Sequence, residues 1–217
     1  MDIPGLPARR AALRLLDAVL RRGETLDQAA HNAVQGLAAD ADKALARAIA
    51  AEALRWLPDL DALIDSATRQ PLPDDAKPRA VLRLMLAQWL RLGTPPHAVV
   101  ATALPLLEGG PKRLAHGVFA TLTRQGATLP FHPALPAAVA SRWGDRAARI
   151  AAALGEPPLL DLTLRDPAKT GEWAERLGGT SLLPGHLRLP RGEAIERLAG
   201  FDAGAWWVQA LAASLPA

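Results

Sequence analysis

The 217-residue chain contains no cysteine. It therefore has no disulfide framework and no thiolate nucleophile, and it is compatible with a cytoplasmic protein. Long hydrophobic runs are also missing: none approaches the roughly 20 residues that cross a membrane, and the opening MDIPGLPARR lacks the apolar core of a signal peptide. We therefore expect a cytoplasmic protein with no membrane partner.

Patterns of catalytic and ligand-binding residues are equally scarce. The chain has no glycine-rich dinucleotide motif and no phosphate-cradling lysine loop. Asp74 and Asp75 are adjacent, but their proline-rich loop favours a solvated turn over acid–base chemistry. No histidine has a partner at metal-ligand spacing, which favours structural or surface roles for His31, His97, His116, His132 and His186. The sequence thus predicts no catalytic residue, no cofactor-binding residue and no metal site within this chain.

The net positive charge of the chain is small and is concentrated at the N-terminus. The formal net charge is +3, and residues 1–22 carry all of this excess because the rest of the chain has equal numbers of basic and acidic side chains. An arginine-rich helix is the pattern expected of phosphate contact, although a solvated basic face explains the composition equally well. We expect Arg9, Arg10 and Arg14 to carry most of an RNA contact. The full set of candidate RNA-binding residues is Arg9, Arg10, Arg14, Arg21, Arg22, Lys112, Arg113 and Arg124.

Hydrophobic periodicity predicts an all-α bundle up to about residue 127. Seven amphipathic segments with short connections occupy this region. Thr25 and Gln28 form a capping-box pattern at the start of the second segment. The tryptophans on helical faces are interpreted as core residues rather than base-stacking platforms, and they are Trp56, Trp89 and Trp143.

The period of the sequence changes in its last third. One helix is expected over residues 136–155, with Val139, Ala147, Ile150 and Leu154 on its inner face. Beyond it, LLDLTLRD alternates leucines with polar residues, as a half-buried strand does. In that strand we expect the leucines inside and Asp161, Thr163 and Arg165 outside. Strands are predicted near residues 159–165, 182–189 and 205–209, with short helices between them.

These patterns divide the chain into three parts. Residues 1–127 form the helical bundle. Residues 128–136, TLPFHPALP, contain three prolines in nine positions and are the predicted linker. Residues 137–217 are predicted to hold a bridging helix and a small α+β domain.

Two stretches resemble a known family. LRLMLAQWLRLGTPPHAVVATALPLLEGGPKRLAHGVFATLTRQG, residues 82–126, resembles bacterial NusB-type RNA-binding domains, and PPHAVV at 95–100 is the closest local match. EPPLLDLTLRDPAKTGEWAERLGGTSLLPGHLRLP, residues 156–190, and LAGFDAGAWWVQALAASLPA, residues 198–217, are similar to the segment that precedes the methyltransferase core in the Fmu/Sun (RsmB) family of 16S rRNA cytosine-C5 methyltransferases. Together these stretches follow the order of that family.

The resemblance implies a mainly α chain, in which a NusB-like helical bundle precedes a small α+β segment of the RRM/ferredoxin-like type. It also implies that the chain binds and positions small-subunit ribosomal RNA for an S-adenosylmethionine-dependent methyltransferase. That family attacks cytosine with a cysteine thiolate and binds S-adenosylmethionine through a glycine-rich loop, and both features belong to a C-terminal domain. We therefore expect the catalytic domain to be missing from this chain, which alone would not be an enzyme.

Two departures from the family pattern keep other interpretations open. Gln209 and Ala210 stand where the family has Gln-Asp, and His116 or Gly117 stands nearest to a family asparagine. A non-catalytic paralogue therefore remains an alternative. Another is a transcription-antitermination-like factor that binds RNA with a ribosomal-protein partner, and a third is a pure protein-interaction module.

Overall fold

The computed structural model describes residues 3–190 and 195–214. It is 62% helical, and its backbone contacts divide the chain into two compact units, Met1–Glu156 and Pro157–Ala217. Across the described ranges, no helix combines the length and the apolar character that spanning a bilayer requires.

The first unit is all α-helical, as the periodicity predicted. Among its described residues, seven α-helices precede residue 127 and two follow. The capping box at the second helix is confirmed, because Thr25 Oγ1 accepts from the Gln28 N–H at 3.2 Å and Gln28 Oε1 accepts from the Thr25 N–H at 3.0 Å. The helices are α1 (Leu6–Arg22), α2 (Leu26–Ala33), α3 (Asp40–Arg55), α4 (Leu57–Ser66), α5 (Lys77–Leu90), α6 (Pro96–Ala103), α7 (Gly109–Arg124), α8 (Ala137–Trp143) and α9 (Ala147–Leu154).

Helix α5 lies at the centre of this unit. Residues 81–88 are buried without interruption, because α1, α3, α4, α6 and α7 all pack around the helix. Trp56, at the junction of α3 and α4, is 1% exposed, and the Arg91 guanidinium lies 4.6 Å above its ring. The first unit therefore has one close-packed hydrophobic core, with α5 at its centre.

The single helix expected over residues 136–155 is wrong. The segment forms two helices, α8 and α9, because Gly144 breaks the helix with a φ of 49°, a conformation that side-chain-bearing residues rarely adopt. Of the predicted inner residues, Val139 and Leu154 are 37% and 48% exposed, whereas Ala147 and Ile150 are half-buried. Neither helix contains a fully buried residue, so this pair lies at the periphery of the unit.

The predicted boundary at residues 128–136 differs from the division that the contacts give. The Ala134 N–H donates to Asp59 Oδ2 at 2.8 Å, and Arg91 Nη2 donates to the Gly155 carbonyl at 3.2 Å. These bonds tie the proline-rich segment and the end of α9 to the helical bundle. Helices α8 and α9 therefore group with the first unit, which ends at Glu156.

The second unit is the predicted small α+β domain. Its elements are β1 (Leu160–Leu164), α10 (Thr170–Leu177), β2 (His186–Leu189), β3 (Trp206–Val208) and the one-turn helix α11 (Leu211–Ser214). The sheet is antiparallel in the order β2–β1–β3, and an isolated bridge joins Thr180 to Arg188 at the outer edge of β2. If that bridge is counted as a rudimentary fourth strand, the connectivity is that of a ferredoxin-like fold. Of the predicted helix between β2 and β3, the described part is a 3₁₀ turn, Ile195–Arg197, and residues 191–194 lie outside the described residues.

The leucines of β1 point into the core of the second unit, as predicted. Leu162 and Leu164 are buried with Trp173 and Trp206. The expected outward position of Asp161 is wrong, because this carboxylate is only 8% exposed. The alternation does place Asp161 on the sheet face opposite the leucines, but on that face Arg188 and the backbone of Leu211 contact its carboxylate.

Candidate nucleic-acid interface

Helix α1 presents the N-terminal arginines. It begins after Gly5, whose φ is 80°, and Pro7 occupies the first turn, where its missing N–H costs no hydrogen bond. A stripe that includes Leu15 and Leu16 is fully buried, and the helix packs against α2, α3 and α5. Burial of this stripe leaves the opposite face of α1 in solvent.

Arg10 and Arg14 lie on that exposed face, one helical turn apart. Neither side chain has an ion pair or a hydrogen bond to any other residue that the structure describes. Two guanidinium groups at this spacing repel each other, and a bound phosphate would relieve the repulsion while accepting charge-assisted hydrogen bonds. Their geometry is therefore suited to anion contact.

The charges of Arg21 and Arg22 are partly offset. Arg21 Nε lies 2.8 Å from Asp17 Oδ1, and Arg22 Nε donates to Glu24 Oε1 at 2.5 Å. The hydrogen bond to Glu24 raises the pKa of Arg22. Arg21 also donates to the Asp75 carbonyl oxygen. These two arginines therefore add less free positive charge than their number indicates.

Arg9 has a different role from its neighbours. It is 8% exposed, and its Nε donates to Oε1 of the fully buried Gln88 at 2.8 Å. Burial lowers its pKa, and the charge of Asp42 opposes that shift. A Cβ at Gly5 would lie 2.8 Å from Arg9 Nη1, so the glycine also leaves room for this side chain. Arg9 thus packs inside the bundle, and the expectation that it carries much of the RNA contact does not fit its position.

The second candidate set lies on α7 but at opposite ends of it. Lys112 and Arg113 are exposed near its start. Arg124 is exposed in the last turn, and its guanidinium donates to the Ala120 carbonyl and to Thr121 Oγ1. Twelve positions of helix separate Lys112 from Arg124, about 18 Å at the usual rise. These residues therefore do not form one patch along α7.

The histidines do not form a metal site. Four are exposed, namely His31, His97, His116 and His132, and His186 is buried. Within residues 3–190 and 195–214, no group of three or more histidine, aspartate or glutamate side chains is arranged to hold a metal ion.

A buried ion-pair cluster in the second unit was not predicted from the sequence. Asp161 accepts from Arg188 Nε at 2.7 Å and Nη2 at 2.9 Å, and from the Leu211 N–H at 3.1 Å. His186 Nε2 lies 3.5 Å from the same carboxylate. The hydrogen bonds from Arg188 hold the pKa of Asp161 far below its usual range, against the opposing effect of burial. The cluster links β1, β2 and α11, so we assign it a structural role.

The prediction that the helical tryptophans are core residues is confirmed for Trp56 and wrong for Trp143. Trp143, the last residue of α8, is 46% exposed. Trp89 is half-buried and meets Phe119 edge-on at 5.7 Å between ring centroids. The sequence carried no signal for this difference, since all three residues lie on amphipathic helical patterns.

Residues 6–109, within the helical unit, match the model of the NusB family. A chain from the crystal structure of the antitermination factors NusB and NusE in complex with dsRNA shares 19% identity and a TM-score of 0.50, over 55% of this chain and 96% of that chain. The crystal structure of PH0851 shares 14% identity and a TM-score of 0.53, over 96% of this chain and 54% of that chain. At these identities the likeness is one of fold, and it confirms the predicted NusB-like bundle.

A relative with higher identity is the ribosomal RNA small subunit methyltransferase B of Xanthomonas campestris pv. campestris. It is 34% identical over 122 residues, which are 55% of this chain and 28% of that protein. The match thus covers less than a third of the length of this relative.

Proposed function

We propose that this chain is the RNA-binding, substrate-positioning N-terminal part of an S-adenosylmethionine-dependent ribosomal RNA (cytosine-C5) methyltransferase, acting on small-subunit RNA in the cytoplasm. The observation that carries the proposal is the 34% identity with a small-subunit rRNA methyltransferase over 122 residues. The NusB-type match of residues 6–109 supports RNA binding by the same region.

In this proposal Arg10 and Arg14 form the centre of the RNA contact, because they are exposed and have no carboxylate partners among the described residues. The flanking cations that can extend it are Arg21, Arg22, Lys112, Arg113 and Arg124. Contacts of this kind fix the position of the RNA backbone and read little of its sequence. They suit a part of an enzyme that delivers RNA to chemistry performed elsewhere.

Substituting both central arginines tests this assignment. We expect Arg10→Ala with Arg14→Ala to weaken binding of a small-subunit rRNA hairpin about tenfold, and to reduce the log–log salt slope by one to two units, because two phosphate contacts are lost. Affinity measured at several salt concentrations reports both quantities. The melting temperature should hardly change, since exposed arginines add little to stability.

A matched control removes two exposed cations elsewhere in the first unit. Arg69→Ala with Lys77→Ala takes away the same charge, and neither residue has an ion pair among the described residues. The control should retain the wild-type affinity and salt slope. Equal losses in both double variants would mean that net charge, and not α1, governs the binding.

The methyl transfer itself is proposed to require residues from outside this chain. The family that the chain resembles uses a cysteine nucleophile, and these 217 residues contain none. The methyl donor, S-adenosylmethionine, would bind to the part of the protein that corresponds to the remaining length of the methyltransferase relative.

We therefore expect the isolated chain to bind no S-adenosylmethionine and to methylate no ribosomal RNA. Isothermal calorimetry with the cofactor should give no binding heat, and radiolabelled methyl groups should not enter small-subunit RNA. A dissociation constant in the micromolar range would contradict this assignment of the cofactor site.

A second candidate function is that of an antitermination-like factor which binds RNA together with a ribosomal-protein partner. The likeness to a chain from the complex of the antitermination factors NusB and NusE with dsRNA favours it, since 96% of that chain is covered. The two candidates differ in their partners. If a NusE-type protein binds tightly and raises the RNA affinity of this chain, the second candidate is favoured. If such a protein leaves the RNA affinity unchanged, the first candidate is favoured.

A further inference from the structure

The peripheral helix pair α8–α9 carries an unassigned patch of cations and one aromatic ring. Arg142 and Trp143 end α8, and Arg146 and Arg149 belong to the turn that opens α9. All four side chains are exposed and fall within eight consecutive positions. We call this set the α8–α9 patch.

The α8–α9 patch has a local excess of positive charge, although basic and acidic side chains are equal in number over residues 23–217 as a whole. Between residues 137 and 154 the only acidic side chain is that of Asp145. None of the three arginines has an ion pair or a side-chain hydrogen bond to another residue in the described ranges. Arg146 and Arg149 are three positions apart in helical backbone, so their side chains lie on neighbouring parts of one face. The patch therefore presents positive charge to an anionic partner.

The ring of Trp143 distinguishes this patch from a merely solvated basic face. Trp143 leaves 46% of its surface in solvent, whereas Trp56, in the core of the same unit, leaves 1%. Gly144, with its positive φ, turns the chain directly after this residue, so that Trp143 lies at the bend between the two helices. Cations beside an exposed aromatic face are the combination that binds single-stranded nucleic acid, because phosphates meet the cations while a base stacks on the ring.

We propose that the α8–α9 patch is a second RNA-contact surface, which binds a single-stranded segment by stacking one base on Trp143 and pairing backbone phosphates with Arg142, Arg146 and Arg149. The proposal rests on the proposed RNA-binding function and adds a separate contact to the one on α1. It assigns this contact to unpaired RNA, since a duplex offers no free base for stacking.

The test uses the full 217-residue chain and a single-stranded RNA of about 20 nucleotides, with a duplex of the same sequence for comparison. The first variant combines Arg142→Ala, Arg146→Ala and Arg149→Ala. It should lower the log–log salt slope for single-strand binding by about two units, because three phosphate contacts are lost. Trp143→Ala should weaken single-strand binding about tenfold at an unchanged salt slope, because stacking carries no counterion release. Trp143→Phe should retain most of the affinity, and duplex binding should be little altered by either tryptophan variant.

Two controls separate this surface from general effects. Circular dichroism and thermal melting verify that each variant is folded. A triple variant of exposed cations in the second unit, Arg165→Ala, Lys169→Ala and Arg197→Ala, removes the same charge and should keep the wild-type slope. An equal loss in this control would overturn the proposal.

The outcomes also distinguish the two contact surfaces. If the α1 double variant loses affinity while every α8–α9 variant binds as the wild type does, the proposed function stands and the α8–α9 patch is not an RNA contact. If only the α8–α9 variants lose single-strand affinity, the patch is supported and the assignment of the contact to α1 fails. Wild-type binding by all variants would overturn both and leave the patch as a protein-docking surface.

Discussion

Replacing Asp61 with alanine is expected to lower the free energy of unfolding of the helical unit by about 3 kcal/mol. This carboxylate accepts from Arg83 Nε at 2.7 Å and Nη2 at 2.8 Å, and lies 3.1 Å from Arg79 Nη1. The side chains of the two arginines are 4% and 2% exposed. Losing their shared partner leaves two nearly buried guanidinium groups with fewer partners, since Arg79 keeps Asp65 and Arg83 keeps Asp74. Urea unfolding followed by circular dichroism measures the change.

A control and a partial rescue sharpen this prediction. Asp75→Ala makes the same chemical change at an exposed carboxylate and should stay within about 0.5 kcal/mol of wild type. Adding Arg83→Met to the Asp61→Ala background should recover part of the loss, because it removes the stranded charge and keeps an apolar side chain of similar length. A double variant less stable than Asp61→Ala alone would show that packing of the Arg83 side chain, not its charge, matters most.

Asp161→Asn is expected to destabilise the second unit by about 2 kcal/mol at neutral pH, since it weakens the bidentate pair with Arg188 inside a small domain. The difference should depend on pH. The pKa of Asp161 is lowered in the folded state, so its contribution is complete above the unfolded pKa near 4 and declines as the pH falls below that value. The stability gap between wild type and variant should therefore narrow steadily as the pH falls below about 4.

Hydrogen exchange at the amides of β1 measures this difference, because it reports the second unit separately from the first. Asp202→Asn, at an exposed carboxylate of the same unit, is the matched control and should show no pH-dependent difference from wild type. A stability gap between wild type and Asp161→Asn that stays constant from pH 7 to pH 2 would contradict the ion-pair explanation.

Much of the candidate interface was visible in the sequence. The concentration of arginine near the N-terminus predicted a basic N-terminal helix, and the structure places Arg10 and Arg14 on the exposed face of α1. The sequence could not assign Arg9 to either face of α1. Arg9 lies a 100° step around the helix from Arg10, and whether that position is packed or exposed depends on which elements surround the helix. Its hydrogen-bond partner, Gln88, is 79 positions away in the chain.

The sequence by itself determined the local structure. The 3.6-residue period defines seven helices, the Thr25 capping box marks the start of α2, and the alternation of LLDLTLRD defines β1, because these features depend on neighbours a few positions apart. Only the tertiary structure decided which faces are covered. It buries Asp161 beneath Arg188 and Leu211, and it leaves Trp143 in solvent beyond the bend at Gly144. A period states which residues share a face, whereas burial depends on what the rest of the chain brings to that face.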